Sequence, residues 1–116
     1  MKSVNKVILL GHVTNDPETK KIPSGKSVCT FGLATNFLLK SPKGEKQESV
    51  EFHNLVAWGG LADLCAKTVR KGNPLYIEGR LKTGSWENAQ KVKMHRTEII
   101  VDELSLLSGK EDAKGV

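Results

Sequence analysis

A series of short strand-like runs restricts the fold of this chain more than any other feature, and the run at residues 27–35 alternates with period two, as expected when residues i and i+2 of a strand point to the same face. Five such strand-like runs, the first of them mainly apolar, are separated by glycine, proline and short polar segments. They cover about residues 4–10, 27–35, 48–58, 75–82 and 91–101. Gly79, inside the fourth run, predicts a bend or bulge. The charged segment at residues 41–46 is predicted to interrupt the sheet before the third run. The pattern predicts a domain built mainly from β-strands.

One segment departs from this alternation. Residues 60–69 have helical spacing, and Gly72 follows as a C-terminal stop signal. The predicted helical stripe consists of Leu61, Leu64, Cys65 and Thr68. An all-β, five-stranded Greek-key barrel with one α-helix between strands 3 and 4 is the OB-fold, whose exposed sheet and long loops bind oligonucleotides. We therefore predict an OB-fold barrel.

The length of the chain indicates how many domains it forms, and its charge indicates what kind of molecule it binds. With 116 residues, 38% of them hydrophobic, the chain is expected to form one domain over residues 1–107, followed by a short flexible tail at residues 108–116. The formal net charge is +5 and the pI is about 9.3. Such an excess of positive charge on a short chain favours a polyanionic partner.

Several other classes of protein are not expected. The N-terminal apolar run ends at Gly11 and is too short for a signal peptide or a membrane span. We therefore expect a soluble cytoplasmic protein that makes no membrane contact. Cys29 and Cys65 fall in different predicted elements without a histidine cluster. They are expected to be buried free thiols, with neither a metal site nor a cofactor.

Three aromatic residues are candidates for base stacking. Phe52 and Trp58 share one face of the third strand and are separated by roughly 20 Å. Val50 and Val56 share that parity, so alternation alone allows either a core role or a binding role for these two rings. Trp86 lies in the segment GSWEN, whose composition predicts a turn with an exposed ring.

Seven segments in a fixed order carry a resemblance to a known family. They are Val4-Asn5-Lys6-Val7-Ile8-Leu9, Asp16-Pro17-Glu18, Phe31-Gly32-Leu33-Ala34-Thr35, Glu51-Phe52-His53, Leu61-Ala62, Arg70-Lys71-Gly72 and Tyr76-Ile77-Glu78-Gly79-Arg80-Leu81. Over most of its length the chain resembles the bacterial-type single-stranded DNA-binding proteins (SSB). The resemblance implies a homotetramer, a dimer of dimers, that covers single-stranded DNA in replication, recombination and repair, without base preference or catalysis. It also implies that the protein is associated with the nucleoid.

The resemblance also implies which residues form the site. Aromatic rings would stack on bases, and lysine and arginine would pair with phosphates. The implied DNA-binding residues are Lys6, Lys20, Lys40, Lys43, Lys46, Phe52, Trp58, Arg70, Lys71, Lys82 and Trp86. The first strand is apolar on both faces, which favours burial by a second subunit. The expected subunit-interface residues are Val7, Leu9, His53 and Tyr76.

The chain departs from the family pattern at positions where a DNA contact is common. Leu39 replaces a tryptophan and Asn54 replaces an arginine. Gly60 replaces a lysine, and a Gly-Ser pair at residues 84–85 replaces two basic residues. The long acidic tail that recruits partner proteins in many members has no counterpart at residues 111–116, so recruitment through such a tail is not expected.

Other functions were weighed against this one. The segment Ser24-Gly25-Lys26-Ser27 resembles the end of a phosphate-binding loop, but Lys20 occupies the position of the required glycine and Pro23 interrupts the loop. We therefore predict a turn at this segment and no enzymatic activity. A tail-less accessory replication module of the primosomal type and an RNA-binding OB domain remain alternatives.

Overall fold

The computed structural model describes residues 1–107, which form six strands and one helix. The elements are β1 (Val7–Val13), β2 (Glu18–Lys21), β3 (Ser27–Lys40), β4 (Lys46–Trp58), α1 (Gly60–Thr68), β5 (Pro74–Glu87) and β6 (Lys93–Leu106). The expected tail, residues 108–116, lies outside the described residues.

The sheet closes on itself through β1. Its strand order is β1-β5-β6-β4-β3-β2, and β1 also pairs with β3, which joins the two sides of the sheet. The five long strands β1, β3, β4, β5 and β6 form the barrel, whereas the short β2 only extends the edge of β3. The helix follows the third of these five strands. The predicted OB-fold is confirmed.

Closure explains why β1 continues through Gly11, where the sequence predicted an end. From Val7 to His12 the strand pairs with β5, and from His12 to Val13 it pairs with β3. A Cβ at Gly11 would overlap the carbonyl oxygen of Ala34. Glycine at this position therefore lets β1 approach β3 closely enough to close the barrel.

The alternation of β3 to β6 sends one set of side chains into the barrel, where Val13 at the end of β1 joins them. These inward side chains are nearly free of solvent contact: Val13, Phe31, Leu33, Leu55, Leu75, Ile77, Ile99 and Val101. Burial of each large apolar side chain contributes about 1.5 to 3 kcal/mol relative to exposure. This core fixes which residues of the same strands must face outward.

The helix α1 packs on one end of the barrel through its small residues. Ala62 and Cys65 are its buried residues, whereas Leu64 and Thr68, which were predicted on the apolar stripe, are exposed. The predicted stripe was therefore wrong at these two positions. The small side chains that are buried instead allow the helix axis to lie close to the sheet. The Arg70 guanidinium donates to the carbonyl oxygens of Ala66 and Val69, at 2.9 and 2.6 Å, and so satisfies the C-terminal end of the helix.

The two thiols are buried and free, as predicted. Burial raises the pKa of the Cys65 thiol to about 12 and also raises the pKa of Cys29. Both side chains therefore act as small apolar core groups at neutral pH. No helix within residues 1–107 is long and apolar enough to cross a membrane.

Two hairpins extend further than the sequence predicted. The β3–β4 ladder continues to Lys40 opposite Lys46, and the predicted charged segment is reduced to a tight turn at residues 41–45. The β5–β6 ladder reaches Glu87 opposite Lys93. Trp86 therefore lies in a strand opposite Met94, and the prediction of a turn there was wrong; the turn is at residues 88–92. Backbone pairing between β5 and β6 continues beyond the core. The turn-like composition around Trp86 therefore did not end β5.

The register of β5 against β6 shifts between Glu78 and Gly79, which agrees with the predicted bend or bulge at Gly79. A Cβ on Gly79 would overlap the carbonyl oxygen of Ile100, a backbone atom that cannot rotate away. Glycine is thus required at this point of the barrel wall.

We predict that Gly79→Ala lowers the free energy of unfolding by about 2 to 3 kcal/mol, because the added methyl forces two strands apart. The matched control is Gly84→Ala in the same strand, where a Cβ meets nothing within 4 Å. The control should change stability by no more than about 0.5 kcal/mol. Urea unfolding at one fixed protein concentration measures both variants, and equal losses would contradict the steric explanation.

Candidate nucleic-acid interface

The strand register places one continuous set of side chains on the outside of the barrel. Residues directly opposite each other in a ladder share a face. Phe52 is opposite Ala34, Trp58 is opposite Val28, and Trp86 is opposite Met94. The two hairpins join where β4 runs parallel to β6, with Val56 opposite Ile100. The even-numbered residues of β3 and β4, and of β5 and β6 beyond the bulge, thus face the same side.

Three aromatic rings stand on this outer surface. Phe52 is 73% exposed, Trp86 is 48% exposed and Trp58 is 38% exposed. We call the outward surface that carries Phe52, Trp58, Trp86, Lys82 and Arg96 the aromatic face. The structure therefore places Phe52 and Trp58 outside the core, which alternation alone left open. Rings that are exposed to this extent can accept stacked bases without unfolding the barrel.

Positive side chains surround these rings. Lys20 on β2 is opposite Val28, which is itself opposite Trp58. Lys82 lies on β5 within the aromatic face, four residues before Trp86. The tip of the β3–β4 hairpin carries the predicted lysines Lys40, Lys43 and Lys46. Lys40 and Lys46 are directly opposite each other, a like-charge arrangement that an anion between them would relieve.

Other predicted DNA-binding residues already have protein partners. The Lys6 ammonium lies 2.6 Å from the Glu78 carboxylate, and this contact raises the pKa of Lys6 and lowers the pKa of Glu78. Arg70 caps the helix, as described above. Lys71 donates its backbone N–H to Asp16 at 2.9 Å, which leaves its exposed side chain available. The structure thus assigns a structural task to two of these three cations.

The predicted interface residues fall on both sides of the barrel wall. Val7 and Leu9 pack against the core of their own barrel. The alternate residues of β1, Ile8 and Leu10, are the exposed ones, at 60% and 59%. Tyr76 is opposite Leu10 on this outer side and donates its hydroxyl to Glu78 at 2.8 Å.

His53 is half-buried, and its Nε2 lies 2.9 Å from the Thr35 hydroxyl oxygen. A histidine that has a polar partner within its own hairpin can be explained by structure alone. No group of three or more His, Cys, Asp or Glu side chains within residues 1–107 could hold a metal ion.

Arg96 and Glu98 on β6 belong to the outer surface but were missed by the sequence reasoning. Arg96 is opposite Gly84 and Glu98 is opposite Lys82. Their alternation with Ile99 could have predicted that both side chains lie on the outer face of a strand. Only the register between β5 and β6 places them beside Lys82. Arg96 also restores a positive charge next to Gly84, where the family pattern has a basic pair.

Comparison with known proteins agrees with this geometry. The sequence model of the single-strand binding protein family matches residues 4–107. The chain is 44% identical, over 98% of its length and 71% of the relative, to "Single-stranded DNA-binding protein 1" of Chlorobaculum tepidum. It is 34% identical to the single-stranded DNA-binding protein of Xanthomonas campestris pv. campestris, over 94% of this chain and 63% of that protein. The chain thus spans less than two thirds of that second relative.

Solved structures give the same result. The Plasmodium falciparum SSB in complex with ssDNA has a TM-score of 0.86 and 33% identity, covering 93% of this chain and 98% of that chain. A deletion mutant of the single-stranded DNA binding protein from Thermus aquaticus has a TM-score of 0.82 and covers 92% of this chain and 52% of that chain. At 24% identity, this second likeness concerns the fold alone. With the family model matching nearly all of the described residues, this chain belongs to the single-strand binding protein family.

Proposed function

We propose that this protein binds and protects single-stranded DNA during replication, recombination and repair, without catalysis and without an overall preference for base sequence. The observation that carries the proposal is the shared outward register of Phe52, Trp58 and Trp86. Every base has a π face, so stacking on these rings is tolerant of sequence. Family membership and the likeness to an SSB in complex with ssDNA support the same partner.

The path of the strand follows from the positions of the rings and charges. Phe52 and Trp58 are separated by roughly 20 Å along β4, a span that accommodates several nucleotides. Lys20 flanks Trp58 at one end of this path, and the hairpin-tip lysines flank the other end. Phosphates would follow these cations while bases stack on the rings between them.

We expect Phe52→Ala, Trp58→Ala and Trp86→Ala each to weaken binding of oligo-dT by about 1 to 3 kcal/mol, since each removes one stacking surface. The matched control is Phe37→Ala. Phe37 is 62% exposed on the same hairpin as Phe52, but it has the opposite parity and faces away. Fluorescence anisotropy gives the affinities, and thermal melts should show that the four variants remain folded. Loss of affinity in Phe37→Ala alone would place the DNA on the other side of the hairpin.

The phosphate contacts have a separate signature. Each phosphate neutralised on a single strand contributes about 0.7 to the slope of log K against log salt. We predict that Lys40→Ala and Lys46→Ala each make this slope shallower by about that amount. Lys6→Ala is the control and should leave the slope unchanged, because the Lys6 ammonium already pairs with Glu78. An equal change in Lys6→Ala would mean that DNA displaces this ion pair.

We also infer a homotetramer built from dimers. The support is the outer side of β1, where Ile8 and Leu10 are exposed beside Tyr76. Leu10 also borders an apolar groove of about 330 Å³ that includes Pro74 and Leu107. Isolated exposed leucines are common, but a contiguous apolar strand surface is typical of a protein interface.

Leu10→Asp should therefore lower the mass measured by light scattering at micromolar concentration, because it places a charge in the apolar contact. Leu64→Asp is the matched control, since Leu64 is an exposed leucine on α1, away from β1. The control should keep the tetrameric mass. A monomeric mass for the unchanged protein would remove the tetramer, and a dimer that binds DNA weakly would favour the accessory-module alternative.

A further inference from the structure

The connection between β1 and β2, residues 14–17, lies at the edge of the aromatic face. Its Thr14 and Asn15 line one side of an open cavity of about 440 Å³ beside Phe52. The Asn15 side-chain oxygen accepts from the backbone N–H of Gly32 at 3.0 Å, which ties the connection to β3. A Cβ on Gly32 would overlap the Thr14 hydroxyl, so glycine lets the connection lie close to the strand. The connection is therefore fixed relative to the surface on which we place the DNA.

The turn between α1 and β5 is attached to this connection. The Asp16 carboxylate accepts from the backbone N–H of Lys71 at 2.9 Å, although the two residues are 55 positions apart in the chain. Beside this bond, the Gly72 N–H donates to the Val13 carbonyl oxygen at 2.7 Å, and the Val13 N–H donates to the Asn73 carbonyl oxygen at 2.9 Å. The position of the turn that carries Lys71 thus depends on the position of the connection.

The bond from Asp16 engages the backbone of Lys71 and not its charged end. Asp16 and Lys71 are both exposed, and neither takes part in an ion pair within residues 1–107. The neighbouring cation of this turn, Arg70, donates its guanidinium to two carbonyl oxygens at the end of α1. In the described part of the chain, Lys71 is therefore the cation of this turn that is available to a phosphate.

Asp16 has two opposite effects on a surface that is suited to a polyanion. Its negative charge repels phosphate, so charge alone predicts that removal of the carboxylate strengthens DNA binding. Its oxygen also holds the backbone of a nearby cation, and a cation that is held in place loses less conformational freedom when it pairs with a phosphate. Removal of the oxygen should therefore weaken binding. Because the two effects differ in sign, an experiment can separate them.

We propose that Asp16 is a positioning residue for single-stranded DNA: its carboxylate fixes the turn between α1 and β5, so that the Lys71 ammonium pairs with a phosphate at the edge of the aromatic face. The proposal rests on the proposed binding of single-stranded DNA. It adds a residue that does not itself touch the strand, and it extends the path of the strand from the rings on β4 past the β1–β2 connection.

The test compares Asp16→Ala with its matched control Asp16→Asn. Both variants remove the same charge, but only asparagine keeps a side-chain oxygen that can accept from the Lys71 N–H. The slope of log K against log salt for oligo-dT is measured for the unchanged protein, for the two variants, for Lys71→Ala and for each Asp16 variant combined with Lys71→Ala. Thermal melts show whether each protein is folded.

We expect Lys71→Ala to make the slope shallower by about 0.7, the contribution of one phosphate on a single strand. Asp16→Ala should make it shallower by about 0.3 to 0.7 and should weaken binding about two- to fivefold, because the ammonium is no longer held beside the strand. Asp16→Asn should keep the slope of the unchanged protein or make it slightly steeper. In the Lys71→Ala background, the two Asp16 variants should bind equally.

The outcomes separate this proposal from the proposed function. If the unchanged protein does not bind oligo-dT, the binding of single-stranded DNA itself is overturned. If it binds and Lys71→Ala leaves the slope unchanged, or Asp16→Ala behaves like Asp16→Asn, only the positioning role is overturned.

Three further results would also overturn the positioning role. A steeper slope in Asp16→Ala would mean that the carboxylate acts only through its charge. A difference between the two Asp16 variants that persists in the Lys71→Ala background would mean that Asp16 acts through another group. An unfolded Asp16→Ala would mean that the fold, and not the phosphate contact, requires Asp16.

Discussion

The in-register pairing of β3 with β4, from Val28 opposite Trp58 to Lys40 opposite Lys46, is the constraint on which the rest of this structure depends. A strand has only two faces, so the burial of Leu33 and Leu55 inside the barrel decides where their neighbours point. Phe52 and Trp58 are consequently outside. A shift of this register by one residue would exchange the buried and the outward side chains of the strand.

Each of the two hairpins has an inner part that belongs to the barrel wall and an outer part that extends past the core. The barrel end of each hairpin is held by inward apolar residues such as Ile77 and Ile99, whereas the outer end is held by backbone pairing. Large side chains on the arms therefore remain exposed in the folded protein, as Phe37 and Trp86 are. Such side chains are available to a ligand without the cost of opening a packed interior.

Charge is arranged at two scales on the same protein. The net positive charge attracts a polyanion over a distance comparable with the Debye length, about 10 Å at 0.1 M salt. At contact distance, the positions of the individual charged side chains matter more than the net charge. Glu98 is opposite Lys82 and also lines the cavity beside Phe52, so a negative group lies among the cations of this surface.

Several features of the structure show what could and could not be predicted from the sequence. The strands, the position of the helix, the bulge at Gly79 and the buried thiols were predicted, because each depends on a local pattern or on composition. The closed barrel was predicted only because the order of these elements matches the OB-fold. The position of Trp86 was not. Its neighbours have a turn composition, but pairing with β6 holds the segment as a strand. For Arg70 the sequence suggested a phosphate contact, whereas the fold supplies carbonyl oxygens within hydrogen-bond distance.

The sequence by itself determined the strand periodicity, the single helix and the positive charge, because these follow from the order and chemistry of neighbouring residues. Only the tertiary structure decided that Ile8 and Leu10, and not Val7 and Leu9, face outward from β1. It also brought Glu98 and Arg96 beside Phe52. The reason is physical: parity within a strand is local, but which parity is buried, and which strands become neighbours, depends on pairing between residues that are distant in the chain.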